Sequence, residues 1–201
     1  MFFAVKVEFP ESNRPSISGG GLNGTYDLIQ FHFHWGSGLS VGSEHTFGTL
    51  HYPLELHLVH LKRGAKVEDG PDSLAVLGIP FSATASEHKS EWKLYLNDAI
   101  KRSTVSRSDS KKDSKEIIET LVPSSLLPTD VSTFFRYNGS LTTPPCFEVV
   151  VWTVFADPLF VSHETLSDFH KVGDSDGNPY GLNYRPVQPL NGRRVLLNQL
   201  K

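Results

Sequence analysis

The stretch Gln30–Trp35 (QFHFHW) sets two histidines one residue apart between aromatic residues. In an extended strand, successive side chains point to opposite faces. Gln30, His32 and His34 then share one face, and Phe31, Phe33 and Trp35 the other. The aromatic face buries readily, whereas a covered row of imidazole and amide groups needs polar partners. A second histidine-bearing stretch, Glu55–Leu61 (ELHLVHL), reads the same way. Glu55, His57 and Val59 share a face, and Leu56, Leu58 and His60 share the other. If the two strands are neighbours, His32, His34 and His57 converge. Three neutral imidazoles without a thiolate make the ligand set of a catalytic zinc, because the fourth tetrahedral position stays open. A structural zinc site closes all four positions, usually with cysteines, and this chain has one cysteine, Cys146. Neutral ligands preserve the charge that makes a metal-held water acidic near neutral pH, and a carboxylate ligand would reduce it. Each ligand also needs its second ring nitrogen held. Gln30 and Glu55, each two residues before a candidate ligand on the same face, suit that task.

The elements that must position these residues follow from composition and pattern. The 201 residues are 38% hydrophobic and 20% charged, enough for one core, and the reading is a single domain over 1–201. A net charge of -3 and a pI near 6.3 give no reason to expect nucleic acid or an anionic membrane as partner. No apolar run approaches the roughly 20 residues of a spanning helix. Sixteen glycines and thirteen prolines, spread along the chain, fit a β-rich protein with many turns. TYDLIQFHFHW, LELHLVHL, LAVLGIPF and CFEVVVWTVF read as strands, the last apolar throughout and so central. The opening MFFAVKVEFP reads as a strand with Val5, Val7 and Phe9 on one face, not as a signal peptide. Residues 86–102 read as a helix capped by Ser86, with Trp92, Leu96, Ala99 and Ile100 on one stripe. Residues 101–116 read as an exposed polar segment. DSDGN (174–178) reads as a turn, since Arg185 stands where a calcium loop needs glutamate. The expected fold is α+β and β-dominated: a large, mostly antiparallel twisted sheet with short peripheral helices.

Six motifs then carry a family resemblance. They are QFHFHWG, GSEHT (42–46), ELHLVH (55–60), LAVLGI (74–79), GSLTTPPC (139–146) and NYRPVQPLNGR (183–193). In this order and spacing the chain resembles an α-class carbonic anhydrase from about Val5 to its end. The resemblance implies zinc-dependent, reversible hydration of carbon dioxide to bicarbonate and a proton by zinc-bound hydroxide. It implies His32, His34 and His57 as zinc ligands, with Gln30, Glu55 and the main-chain carbonyl of Asn183 as acceptors for their second nitrogens. Thr142 would accept the hydroxide proton and pass its own to Glu44, aiming a lone pair at the substrate carbon. Val59, Val76, Leu141, Val150 and Trp152 would form the apolar substrate pocket, with the Thr142 amide and Thr143 on its polar side. The Pro144–Pro145 bond is expected to be cis. Arg185 and Tyr137 resemble structural supports, and His45 and His60 read as hydrogen-bonded structural residues. Family domains begin several dozen residues earlier, which places Phe3 in the slot of the proton-shuttle histidine, where it cannot carry a proton. His51, near a strand end, is the other shuttle candidate. Cys146 in TTPPC resembles the secreted and membrane-tethered branch, where that cysteine bridges to one near the domain start. With the sequon at Asn138 it implies an oxidising, extracellular or secretory location and a glycoprotein, and a second sequon at Asn23 is a weak sign of the same. The expected state is a monomer. The competing reading is a non-catalytic carbonic-anhydrase-like binding or biomineral-matrix domain, but such members typically lose a zinc histidine and this chain keeps all three.

Overall fold

The computed structural model describes residues 5–85, 122–173 and 181–199. The expected helix at 86–102, the polar segment at 101–116, the turn at 174–178 and Phe3 lie outside them. Among the described residues nine strands form one sheet: β1 Lys6–Glu8, β2 Ser16–Ile17, β3 Tyr26–Trp35, β4 Leu54–Lys62, β5 Leu74–Thr84, β6 Phe134–Gly139, β7 Val150–Phe155, β8 Leu159–Ser162 and β9 Leu196–Asn198. The strand order is β1-β3-β4-β5-β7-β6-β9, with β2 added to β3 and β8 to β5. β5 runs parallel to both β7 and β8, and every other pair is antiparallel. The β-dominated reading therefore holds, with a mixed sheet.

The two faces of the sheet differ in chemistry. On one, Phe31, Phe33, Trp35, Leu54, Leu56, Leu58, Ile79 and Phe81 join a large apolar cluster. Helix α1, His163–His170, covers it. Ser162 caps that helix by accepting from the Thr165 amide at 3.1 Å. Phe169 of α1 lies 5.2 Å, ring centre to ring centre, from both Phe33 and Trp35. On the other face a smaller cluster, with Val59, Leu74, Val76, Val150, Trp152 and Val154, surrounds the histidines. Both faces of β7 are thus covered, and its one polar side chain, the buried Thr153, accepts from the Arg136 guanidinium at 2.9 Å.

One expectation needs correction, and one irregularity had no expectation. The last strand begins at Val150 rather than Cys146. The Cys146 amide instead donates to the Thr143 carbonyl at 2.9 Å, closing a turn through a cis Pro144–Pro145 bond, with Cys146 itself at φ +60°. That amide is therefore not available to a sheet ladder. In β3, the register against β4 shifts between Leu28 and Gln30. Such a bulge sets two residues against one and breaks the alternation. Leu28 sits in the large cluster, while the adjacent Ile29 packs with the histidine-side cluster, as strict alternation would allow, and Gln30 then follows it onto the same side. No described helix is long and apolar enough to cross a membrane.

Candidate metal centre

β3 and β4 bring the three histidines together by register alone. His32 stands directly opposite His57, and His34 opposite Glu55. Ring centres are 4.9 Å apart for His32–His34, 5.2 Å for His32–His57 and 4.6 Å for His34–His57. Each residue offers one ring nitrogen, and these nitrogens lie within 4.8 Å of one another. All three rings are buried.

The opposite ring nitrogens are held by three different acceptors. Gln30 Oε1 lies 2.8 Å from His32 Nδ1, and the Asn183 carbonyl lies 2.9 Å from His34 Nδ1. Glu55 Oε1 lies 2.6 Å from His57 Nε2. Nε2 of His32, Nε2 of His34 and Nδ1 of His57 therefore turn inward. Asn183 is itself fixed on the end of β3 that lies beyond its pairing with β1. Its amide donates to the Trp35 carbonyl at 3.1 Å, its side-chain oxygen accepts from the Trp35 amide at 2.7 Å, and its side-chain nitrogen donates to the Phe33 carbonyl at 2.9 Å.

Electrostatics favour the ligating form of these rings. Burial, reinforced by the neighbouring histidines, holds His32 well below the ordinary imidazole value and His34 at about 3. Both are neutral at pH 7, as metal ligation requires. Burial would raise the Glu55 carboxyl, but the facing His45 and its hydrogen bonds, joined by that of His57, hold it well below the usual range. Glu44 goes the other way: burial raises it, against lowering contributions from His57, the Thr142 side chain and the Arg185 amide. That amide donates to Glu44 Oε1 at 2.7 Å. Glu44 Oε2 lies 3.3 Å from His34 Nε2 and 3.8 Å from His57 Nδ1.

The centre opens into a cavity of about 230 Å³. Gln30, His32, His57, Val59, Val76, Leu141, Thr142, Thr143 and Trp152 line it. Val150, expected on the wall, packs in the surrounding cluster instead. Ile29, Val67 and Leu74 also line the cavity and were not expected there. Leu74 lies two residues before Val76 and could have been found by alternation. Ile29 sits at the bulge, and Val67 arrives on a short 3-10 turn after β4; neither has a local sequence signal. His51 is not among the lining residues; its ring faces Tyr184 at 6.4 Å. His60 Nδ1 donates to the Leu58 and Ala75 carbonyls on the opposite face, and His45 is hydrogen-bonded to Glu55 and Tyr137.

Residues 3–199 match the family model for eukaryotic-type carbonic anhydrase. "Putative carbonic anhydrase 3" of Caenorhabditis elegans is 44% identical over 187 residues, covering 92% of this chain and 70% of the relative. "Putative carbonic anhydrase 5" of the same organism is 39% identical, covering 96% of this chain and 61% of the relative. "Carbonic anhydrase 7" of Mus musculus is 38% identical, covering 96% and 73% respectively.

Proposed function

This chain belongs to the eukaryotic-type carbonic anhydrase family, and we propose that it is a single catalytic domain that hydrates carbon dioxide reversibly to bicarbonate and a proton at a zinc held by His32, His34 and His57. The observation that carries this reading is the set of three buried imidazoles, each with its outer nitrogen on a different acceptor. When bound, zinc supplies a nucleophilic oxygen at neutral pH and a Lewis acid. The protein's own part is positioning. Gln30, Glu55 and Asn183 fix ring orientation, so that the ligands are arranged before the metal arrives. Thr142 and Glu44 orient the nucleophile: Glu44 is locked by the Arg185 amide and can only accept from Thr142 while ionised. Val59, Val76, Leu141 and Trp152 form a wall suited to a substrate with no net dipole. Thr143 lies on the polar side, where bicarbonate leaves.

The test is zinc content and carbon dioxide hydration on the purified chain, before and after chelation. Stoichiometric zinc with chelator-sensitive hydration is expected. Zinc without turnover would favour the binding-domain reading, and absence of zinc would overturn the assignment. A secretory location is a further part of the reading, resting on the partly exposed thiol of Cys146 and the exposed sequon at Asn138. Cys146, the one cysteine of this sequence, should react with a thiol reagent here and form a disulfide when an upstream segment carrying a second cysteine is restored; an upstream segment without a cysteine would remove that part.

A further inference from the structure

We propose that Tyr137 and His45 are positioning residues for the ligand His57, acting through Glu55; the proposal rests on the triad being a metal centre. A carboxylate can only accept. Glu55 Oε1 lies 2.6 Å from both His45 Nδ1 and His57 Nε2. Both of those ring nitrogens therefore carry hydrogen, and Nδ1 of His57 is the atom left for the triad. His57 thus depends on where Glu55 points.

One oxygen shared by two imidazoles does not fix a carboxylate, which can still turn about its own bonds. His45 removes that freedom by holding both oxygens. Its ring donates to Oε1, and its main-chain amide donates to Oε2 at 2.9 Å. The ring of His45 is fixed in turn at its far end, where Nε2 lies 2.6 Å from the Tyr137 hydroxyl. Burial raises the Tyr137 pKa, so that hydroxyl keeps its proton and remains a donor. The Tyr137 ring is nearly parallel to Trp152, at 10° and 6.2 Å between centres, and the Arg193 guanidinium lies 5.7 Å from its centre. Neither His45 nor Tyr137 lines the cavity. Their hydrogen bonds reach the site through Glu55, while their rings also pack against Trp152 of the cavity wall.

Two measurements test this on the full chain. The first needs no metal: nitrogen-15 NMR of the histidine side chains in the chelated protein. His57 is expected with hydrogen on Nε2 and a bare Nδ1; the opposite tautomer would overturn the proposal. The second is zinc affinity by chelator competition. Tyr137→Phe should bind zinc roughly tenfold more weakly, and His45→Ala on the order of 10–100-fold more weakly, the range typical of groups that orient metal ligands. His45→Asn, whose side-chain amide can stand near the Nδ1 position, should recover most of the His45→Ala loss. A purely structural role would lower the melting temperature of all three and leave zinc affinity of the folded protein unchanged, with Asn no better than Ala. That pattern would refute the proposal. Failure of the unsubstituted chain to take up zinc would instead bring down the metal-centre reading, so the two failures are distinguishable.

Discussion

The two faces of β3 and β4 are built from alternate residues of the same ten- and nine-residue strands, yet they hold together by different physics. On one face Phe31, Phe33, Trp35, Leu56 and Leu58 are buried by contact with other apolar groups, and no direction is required of any of them. On the other, His32, His34, Glu55 and His57 are equally buried, and each depends on a bond of defined length and direction. The apolar face tolerates exchange of shape at constant volume. The polar face tolerates almost none, because a removed partner leaves a desolvated group behind. The fold is stabilised mainly by the first face, and the chemistry sits on the second. This separation can be broken from either side, and the largest effect comes from the polar side.

Replacing His57 by Ala removes one of three ligands and should abolish stoichiometric zinc and hydration together, measured by metal analysis and assay. Retained activity would sink the ligand assignment. Phe33 is fully buried and in ring contact with Phe81 and Phe169. Phe33→Ala should cost about 3–5 kcal/mol in denaturant unfolding of the metal-free protein. The molecules that remain folded should still bind one zinc each. Loss of zinc at full foldedness would mean that the two faces are not separable. A smaller effect is expected between them. A Cβ at Gly139 would lie 2.7 Å from Tyr137 Cε2 and 3.0 Å from Trp152 Cδ1. Gly139→Ala must therefore push the Tyr137–Trp152 pair apart, at about 1–3 kcal/mol. Unfolding titrations read that cost directly, and an unchanged midpoint would show that the pair has slack.

The same contrast explains what was legible in the sequence. Period-two alternation places His32, His34, Glu55 and His57 on one face because regular strands impose it, and the motifs point to the acceptors for each ligand. What alternation cannot convey is irregular backbone. The bulge at Leu28–Gln30 and the turn that withdraws Cys146 from β7 depend on long-range packing, not on a local pattern. Nor does a sequence display main-chain groups. The Arg185 amide that locks Glu44, and the four-way attachment of Asn183 to β3 and His34, come from a segment about 150 residues away in the chain. The family motif singled out Asn183, while its side-chain bonds to Phe33 and Trp35 had no local signal.

His60 is the exception that sharpens the comparison, and it gives the smallest expected effect. It lies on the apolar face, beside Leu58, yet it is a buried titratable group. Its Nδ1 bonds to the Leu58 and Ala75 carbonyls at 3.0 and 3.2 Å, but burial outweighs those bonds and lowers its pKa from 6.5 to about 4. The unfolded chain therefore binds a proton near pH 6.5 that the folded chain refuses until about pH 4. Above pH 6.5 neither state is protonated and His60 contributes no pH dependence. As pH falls through 6.5 the unfolded state gains a proton first, so stability drops, levelling off only below about 4. The loss due to His60 is roughly 1 kcal/mol by pH 5.5–6. Because His32 and His34 are also depressed, the clean measurement is a difference: urea unfolding of chelated protein against His60→Asn from pH 7.5 to 5.5. The variant keeps a donor for the carbonyls and loses the titration, so its stability should fall less steeply by about one proton. Parallel curves would mean that His60 takes up its proton equally in the folded and unfolded chain, and the division between the two faces would not extend to that end of the strand.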